Sequence, residues 1–289
     1  MNRIAESELI INDDGSIFHL HLKPEQLAER VVLCGDPERV SMIAGYFDTK
    51  ECDVSNREFH TITGTYKGKR ISVVSHGIGC DNIDIVANEL DVLANVDFKS
   101  RTVSPEFRRL TMVRIGTSGG LQPFTPIGSY VAAEKSIGFD GVVYFYEDND
   151  KIRDLHIEDE LLRQLGWSIP GIRPYVVSAD PSLLEQIAKD DIIRGMTIAA
   201  NGFYGPQGRT LRLNLTDKDL NSKIESFRFE NRQITNYEME SSALSGLATM
   251  MGHRALTVCC IIAGRYNKDM NTDYKDSLPT LIVKVLDRI

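Results

Sequence analysis

The sequence predicts a single α/β domain over residues 1–289. Strand-type and helix-type patterns alternate along the chain, with no Pro/Gly/Ser-rich linker and no internal repeat between them. Ala255 to Ala263 is a long apolar run that suits a buried strand. A second buried-type stretch, Thr111-Met112-Val113-Arg114-Ile115, breaks abruptly into small, hydroxyl-bearing and glycine residues and reads as a strand ending in Gly116-Thr117-Ser118-Gly119-Gly120. Backbone N–H groups and hydroxyls at the carboxyl end of a strand lie where open α/β sheets bind ligands. Arg114 is the anomaly, because a guanidinium beside Val113 and Ile115 must either bind an anion or be paired. An anion site, for phosphate, and an arginine tied to a core carboxylate above an ordinary turn both remain open.

The other elements follow in order. Ile17 to Leu22 alternates, which predicts a short edge strand with His19 and His21 on its polar face. Val31 to Cys34 reads as a buried strand running into Gly35-Asp36-Pro37, with Pro37 at the first position of a helix. Free N–H groups at that helix start, with Arg39 one turn on, favour an anion. Phe59 to Tyr66 and Arg70 to Ser75 form a hairpin pattern around Lys67-Gly68-Lys69. Gly77-Ile78-Gly79 then precedes an amphipathic helix over Ile83 to Leu93; a third glycine is missing, so no dinucleotide fingerprint is present. Asp97 to Leu110 reads as a basic, solvated surface insertion. Gly128 to Ala133, Val142 to Phe145, Tyr175 to Val177 and Thr197 to Ala200 read as strands. Glu158 to Leu165, Ser182 to Ala188 and Leu281 to Ile289 read as helices.

Composition narrows the partners. A net charge of -8 argues against a nucleic-acid groove or an anionic membrane as the main partner, so an anionic substrate must be held by a local arginine cluster. No apolar run reaches membrane-spanning length and the N-terminus lacks a signal-peptide pattern, so a cytoplasmic location is expected. The 5 cysteines are odd in number and show no C-x-x-C spacing, which suggests neither a disulfide framework nor a zinc site.

Two further stretches carry chemistry. Asn201-Gly202-Phe203-Tyr204-Gly205-Pro206-Gln207-Gly208-Arg209 is a shaped loop with stacking faces. Gln207 offers a donor and an acceptor on one amide and Arg209 only donors, a set that suits carbonyls flanking an N–H, the edge of uracil. Tyr237-Glu238-Met239-Glu240-Ser241 is expected to enter a helix reaching about Met250. Its carboxylates either complement the helix dipole or accept hydrogen bonds from sugar hydroxyls, with Met239 under the ring.

Phe-His-Leu at 18–20, Gly-Asp-Pro-Glu-Arg at 35–39, Arg-Glu-Phe at 57–59 and Gly-Ile-Gly at 77–79 are followed by Arg-Ile-Gly-Thr-Ser-Gly at 114–119. Phe-Tyr-Gly-Pro-Gln-Gly-Arg at 203–209 and Tyr-Glu-Met-Glu-Ser at 237–241 complete a series whose order resembles the nucleoside phosphorylases, in their uridine phosphorylase branch. The resemblance runs from Phe18 to the final helix and implies a mixed, barrel-like central sheet flanked by helices, and a homodimer with shared active sites. It implies that Gly35, Arg39, Arg114 and Thr117 bind phosphate, joined by Arg57 of the neighbouring subunit. Met239, Glu240 and Thr117 would hold the ribose, with the neighbour's His19 at its 5′-hydroxyl. Phe203, Gln207, Arg209, Ile262 and Arg265 would form the base site, and Arg114, Glu240 and Arg209 would carry the catalysis.

The activity so implied is reversible, phosphate-dependent cleavage of uridine to uracil and ribose 1-phosphate, in pyrimidine salvage. Phosphate is a co-substrate and no cofactor is required. Purine-cleaving relatives carry an aspartate at the end of the long strand, where this chain has Ala263-Gly264-Arg265. In some relatives a potassium ion bridges subunits through a glutamate matching Glu58 and a serine replaced here by Asn82. An amide oxygen is also a hard-cation ligand, so a structural monovalent cation at Glu58 stays open. The alternatives are a nucleosidase hydrolase or a purine nucleoside phosphorylase on the same fold, and a non-catalytic nucleoside-binding protein.

Overall fold

The computed structural model describes residues 3–264, 269–270 and 277–289. Its frame is one mixed sheet. β1 (Arg30–Cys34) lies parallel between β4 (Lys69–Ser75) and β7 (Thr111–Gly120). β3 (Phe59–Tyr66) and β2 (Thr49–Asn56) extend that arm in antiparallel fashion beyond β4. On its other side β7 enters a closed ring. It pairs parallel with β12 (Arg254–Gly264) and antiparallel with β11 (Ile234–Glu238). β8 (Tyr130–Gly138) and β10 (Ile193–Ala199) complete the circuit from β12 back to β11. β9 (Tyr175–Ser178) pairs with β8, and the short β13 (Asp269–Met270) pairs with the end of β12. The expected mixed, barrel-like α/β fold is therefore present.

Helices cover both faces, and the two-residue strand period decides what each meets. Val32, Val113 and Leu256 pack with α1 (Pro37–Ala44), α4 (Pro181–Ile187) and α7 (Leu278–Arg288). Leu33, Met112 and Ala255 pack with α2 (Cys80–Asn95) and α6 (Ser241–Met250). Arg114, two residues beyond Met112, thus emerges on the α2 and α6 side, where both helices begin. Around the ring, α3 (Leu155–Leu165) and α5 (Leu220–Ser226) close a third cluster with Ile137, Ile198 and Tyr237.

Several expectations are corrected. Ile17 to Leu22 is no strand but a turn, closed by the Ile17 N–H on the Leu22 carbonyl at 2.8 Å, with His21 in the left-handed region at φ 56°. Its alternation is real, since Leu20 and Leu22 are buried, but it anchors a turn. Val142 to Phe145 is a short 3-10 helix: Gly141 sits at φ 83° and the Asp140 carboxylate accepts the Val142 N–H at 2.8 Å. The ordinary turn allowed at the glycine-rich end of β7 is absent: the stretch stays extended, because β12 and β11 pair with its two edges as far as Gly120. The basic insertion holds a small ribbon, β5 (Val96–Asp97) with β6 (Thr102–Val103), and Arg108 turns inward to the Leu27 carbonyl.

Candidate active site

The carboxyl ends of β1 and β7 meet the starts of α1, α2 and α6 around a cavity of about 570 Å³. At one end Gly35 is held against the Gly77 carbonyl so closely that a Cβ would sit 2.9 Å from its oxygen. Asp36 then caps α1 by accepting the Glu38 N–H at 2.9 Å, with Pro37 at the first helical position as expected. This start carries Arg39 inward; its Nη1 donates to the Ile115 carbonyl at 3.3 Å. Arg39, Arg114, Thr117 and Gly35 line the same end of the cavity.

Arg114 is 4% exposed and satisfies both readings of a buried arginine. Its Nη1 donates to Glu238 at 2.9 Å and its Nη2 to Glu240, while its Nε donates to His76 Nε2 at 3.1 Å. Burial works against its charge, but Glu240 and Glu238 hold it protonated beyond the ordinary arginine range. It is thus a paired arginine that also lines an open cavity.

The two carboxylates divide their work, and neither is in the first helical turn, because β11 runs to Glu238 and α6 starts at Ser241. Glu238 accepts the Glu240 N–H at 2.9 Å, the Ser241 N–H at 3.0 Å and the Ser241 hydroxyl at 2.6 Å, so it serves the start of the helix. Glu240 accepts the Gly79 N–H at 2.7 Å with one oxygen and Arg114 with the other. Burial raises its pKa, Arg114 opposes that rise and Glu238 adds to it. Met239 and Glu240 both line the middle of the cavity.

Gln207 and Arg209 form a preassembled set with Phe203. Arg209 Nη1 donates to Gln207 Oε1 at 2.7 Å and to the Phe203 carbonyl, and its guanidinium lies 3.7 Å above the Phe203 ring. Asn221 on α5 steadies the loop by donating to the Gln207 carbonyl at 3.2 Å and accepting the Tyr237 hydroxyl at 3.1 Å. Gly208, at φ 67°, lies so near Asn221 that a Cβ would meet its Nδ2 at 2.3 Å. Phe203, Gln207, Arg209 and Ile262 line the cavity; Arg265 lies outside the described residues. A second, more apolar cavity of about 630 Å³ lies behind this loop, and Arg209 borders both. It lacks Arg39, Arg114 and Glu240.

His19, Arg57 and Glu58 do not line the cavity. His19 Nδ1 is 2.7 Å from Glu89, its carbonyl accepts from Asn56 at 2.8 Å, and Arg57 stacks 5.7 Å from the Phe18 ring centroid. These residues share a separate patch. Glu58 and Asn82 flank Gly77, where an added Cβ would approach them to 3.2 and 2.3 Å. No cluster of three or more His, Cys, Asp or Glu side chains among the described residues is placed to hold a metal. Neither His76 nor Asn221 stands out in the sequence: His76 precedes Gly77-Ile78-Gly79 with no pattern of its own, and Asn221 lies on a helix that no periodicity announces.

The fold and cavity define a member of a known enzyme class: residues 29–283 match the model of the phosphorylase superfamily, and the chain belongs to that family. It is 27% identical over 271 residues to the uridine phosphorylase of Thermococcus kodakarensis, covering 93% of this chain and 85% of that protein. It is 25% identical over 245 residues to a purine nucleoside phosphorylase of Listeria monocytogenes, covering 84% and 85% of the two chains. Among solved structures, a Trypanosoma brucei nucleoside phosphorylase described as showing uridine phosphorylase activity superposes with a TM-score of 0.89. That match is at 28% identity and covers 97% of this chain and 98% of the other.

Proposed function

We propose that this chain catalyses reversible phosphorolysis of uridine to uracil and ribose 1-phosphate. The observation that carries the reading is the order of side chains along one cavity: Arg39, Arg114 and Thr117 at one end, Met239 and Glu240 in the middle, Phe203, Gln207 and Arg209 at the other. That is the order of phosphate, ribose and base.

In this reading Gly35, Arg39, Arg114 and Thr117 seat phosphate beneath C1′, where charge-assisted bonds and proximity supply most of the catalysis. The glycosidic C1′–N1 bond lengthens toward an oxocarbenium-like state, its electron pair passes to the uracil ring, and a phosphate oxygen bonds to C1′. Glu240 takes the 2′- and 3′-hydroxyls over Met239. Gln207 and Arg209 read the uracil edge, and Arg209 stabilises the charge developing on the leaving base. No covalent nucleophile or cofactor takes part. Because Arg114 is already paired, phosphate must draw it from Glu240, and the ribose hydroxyls then give that carboxylate new donors.

The patch of His19 and Arg57 is assigned to the cavity of a second subunit, which makes the working unit a homodimer. The reading treats residues 1–289 as one domain, working in the cytoplasm in pyrimidine salvage. A cation beside Glu58 and Asn82 is no part of the mechanism. A hydrolase needs no anion clamp, and the conjunction of Arg39, Arg114 and Thr117 weighs against it. At the end of β12 the cavity meets Ile262 and Ala263, neither of which offers the acid that a purine base would use.

The test is incubation with uridine, with and without phosphate, following uracil and ribose 1-phosphate. Uracil that forms only with phosphate, together with ribose 1-phosphate, is expected. Equal uracil in both tubes would replace the proposal with a hydrolase, and none in either would leave a binding protein. Faster cleavage of inosine than of uridine would move the assignment to purines.

A further inference from the structure

His76 takes no part in the mechanism above, yet it is completely buried against Arg114. It follows β4, and its N–H donates to the Cys34 carbonyl at 2.9 Å, which ties it to the end of β1 beside Gly35. Its Nε2 lies 3.1 Å from Arg114 Nε. An arginine Nε bears a hydrogen and has no acceptor capacity, so His76 Nε2 must be the bare, accepting nitrogen. In the neutral ring the proton then sits on Nδ1, which makes no well-aligned hydrogen bond among the described residues and faces only a weak contact with the Gly77 backbone. Packing alone would be better served here by an apolar side chain, since burying a polar ring with so little hydrogen bonding is costly.

The charges facing the ring agree with a neutral imidazole. Burial is the largest influence, and the guanidiniums of Arg114 and Arg39 act with it, holding the ring well below the ordinary histidine range against a weaker pull from the Gly77 backbone. Glu238 and Glu240 lie on the far side of Arg114 and engage its terminal nitrogens.

We propose that His76 is a positioning residue for Arg114: a neutral imidazole, protonated on Nδ1, that accepts from Nε and so sets the rotation of the guanidinium, keeping both terminal nitrogens turned toward the carboxylates and the incoming phosphate. The inference rests on the phosphorolytic reading. Without His76 the Nε–H is buried and unsatisfied, and the guanidinium turns to recover a partner, taking its fork out of register with the anion.

The test compares His76→Leu, which removes the acceptor, with His76→Gln, whose amide oxygen can restore it. Phosphate affinity is read by calorimetry without nucleoside, and KM for phosphate and for uridine are read separately. In His76→Leu the Kd and KM for phosphate should rise about tenfold or more, with a smaller change in the uridine KM. His76→Gln should recover most of the loss. In the unsubstituted protein, nitrogen-15 NMR of histidine should show His76 as the neutral Nδ1–H tautomer at neutral pH. Unchanged phosphate affinity in His76→Leu, a His76→Gln protein as weak as His76→Leu, or an Nε2–H or cationic ring at neutral pH would each overturn the proposal. Should His76→Leu not fold, His76→Gln and the spectrum still decide. An unsubstituted protein that binds no phosphate would instead overturn the phosphorolytic reading.

Discussion

The charge balance at Arg114 makes a counterintuitive prediction. Two carboxylates face one guanidinium, so an oxyanion entering the cavity competes with Glu240 for Nη2. Glu240→Gln keeps the shape and an acceptor oxygen but deletes one of the two negative charges. Unit charges about 4 Å apart interact by about 4 kcal/mol at an effective dielectric constant near 20. Arg39 and the retained hydrogen bond offset part of this, leaving roughly 2 kcal/mol, or about a thirtyfold change in affinity. Glu240→Gln should therefore bind anion about thirtyfold more tightly while turning over uridine at least about a hundredfold more slowly, because the ribose hydroxyls lose a charged acceptor. Sulfate is the better probe, since its charge is constant over the accessible pH range. The raised pKa of Glu240 fixes the sign of the pH effect. As pH falls through it the carboxylate gains a proton and loses its charge, so sulfate binding by the unsubstituted protein should tighten, whereas Glu240→Gln should lack that component. Calorimetry with sulfate from pH 7.5 down to about 5 measures both effects. Equal or weaker sulfate binding in the variant at neutral pH would refute the competition between Glu240 and the anion.

Other predictions bear on the base, the subunits and the fold. Gln207→Ala should raise the uridine KM about tenfold and leave phosphate affinity nearly unchanged, since it removes hydrogen bonds at the far end of the cavity; an unaltered uridine KM would dismiss its role. Arg57→Ala and Arg114→Ala should each abolish most activity. Mixing them with subunit exchange should restore about a quarter of the unsubstituted rate, because half of the dimers carry one intact site; no recovery would mean that the sites are not shared. Asp191→Asn should lower the melting temperature modestly, by the equivalent of about 0.5–1 kcal/mol, because Asp191 pairs with Arg288 and Lys284 of α7. Arg288 first, with burial opposing and Lys284 assisting, depresses the pKa of Asp191. Its contribution is present above the ordinary carboxylate range, so the difference between the two proteins should narrow as pH falls below about 4. A constant difference down to pH 2.5 would assign the loss to another cause.

What the sequence disclosed was mostly local. The caps and turns around Asp36-Pro37 and Lys67-Gly68 depend on neighbouring residues, and they stand where the sequence placed them. The cavity residues Arg39, Arg114, Thr117, Gln207, Arg209, Met239 and Glu240 were legible as polar or glycine-bounded anomalies beside apolar runs, and the fold brings them together. Long-range pairing was not legible. Nothing between Gly116 and Gly120 indicates that β11 and β12 will hold both edges of that stretch extended. The alternatives for Arg114 could not be separated either, because its carboxylate partners lie more than a hundred residues away in the chain. Glu238 and Glu240 looked equivalent by spacing; only the break between β11 and α6 gives one to the helix start and the other to the cavity. Val142 to Phe145 misled because a β-branched pair outweighed the effect of Gly141 and Asp140 just before it.

β7 is anchored along both edges, and its ends have opposite neighbours. The excursion at 97–110, exposed at its tip and tied down by Arg108 and Leu110, joins it before Thr111, whereas Thr117 lies seven residues past Leu110, roughly 20 Å along an extended chain. Lengthening, shortening or labelling that excursion therefore alters the outside of the molecule with the pocket shielded by a rigid rod. A fluorophore or affinity handle grafted between Phe98 and Phe107 would report on the protein while leaving its chemistry undisturbed.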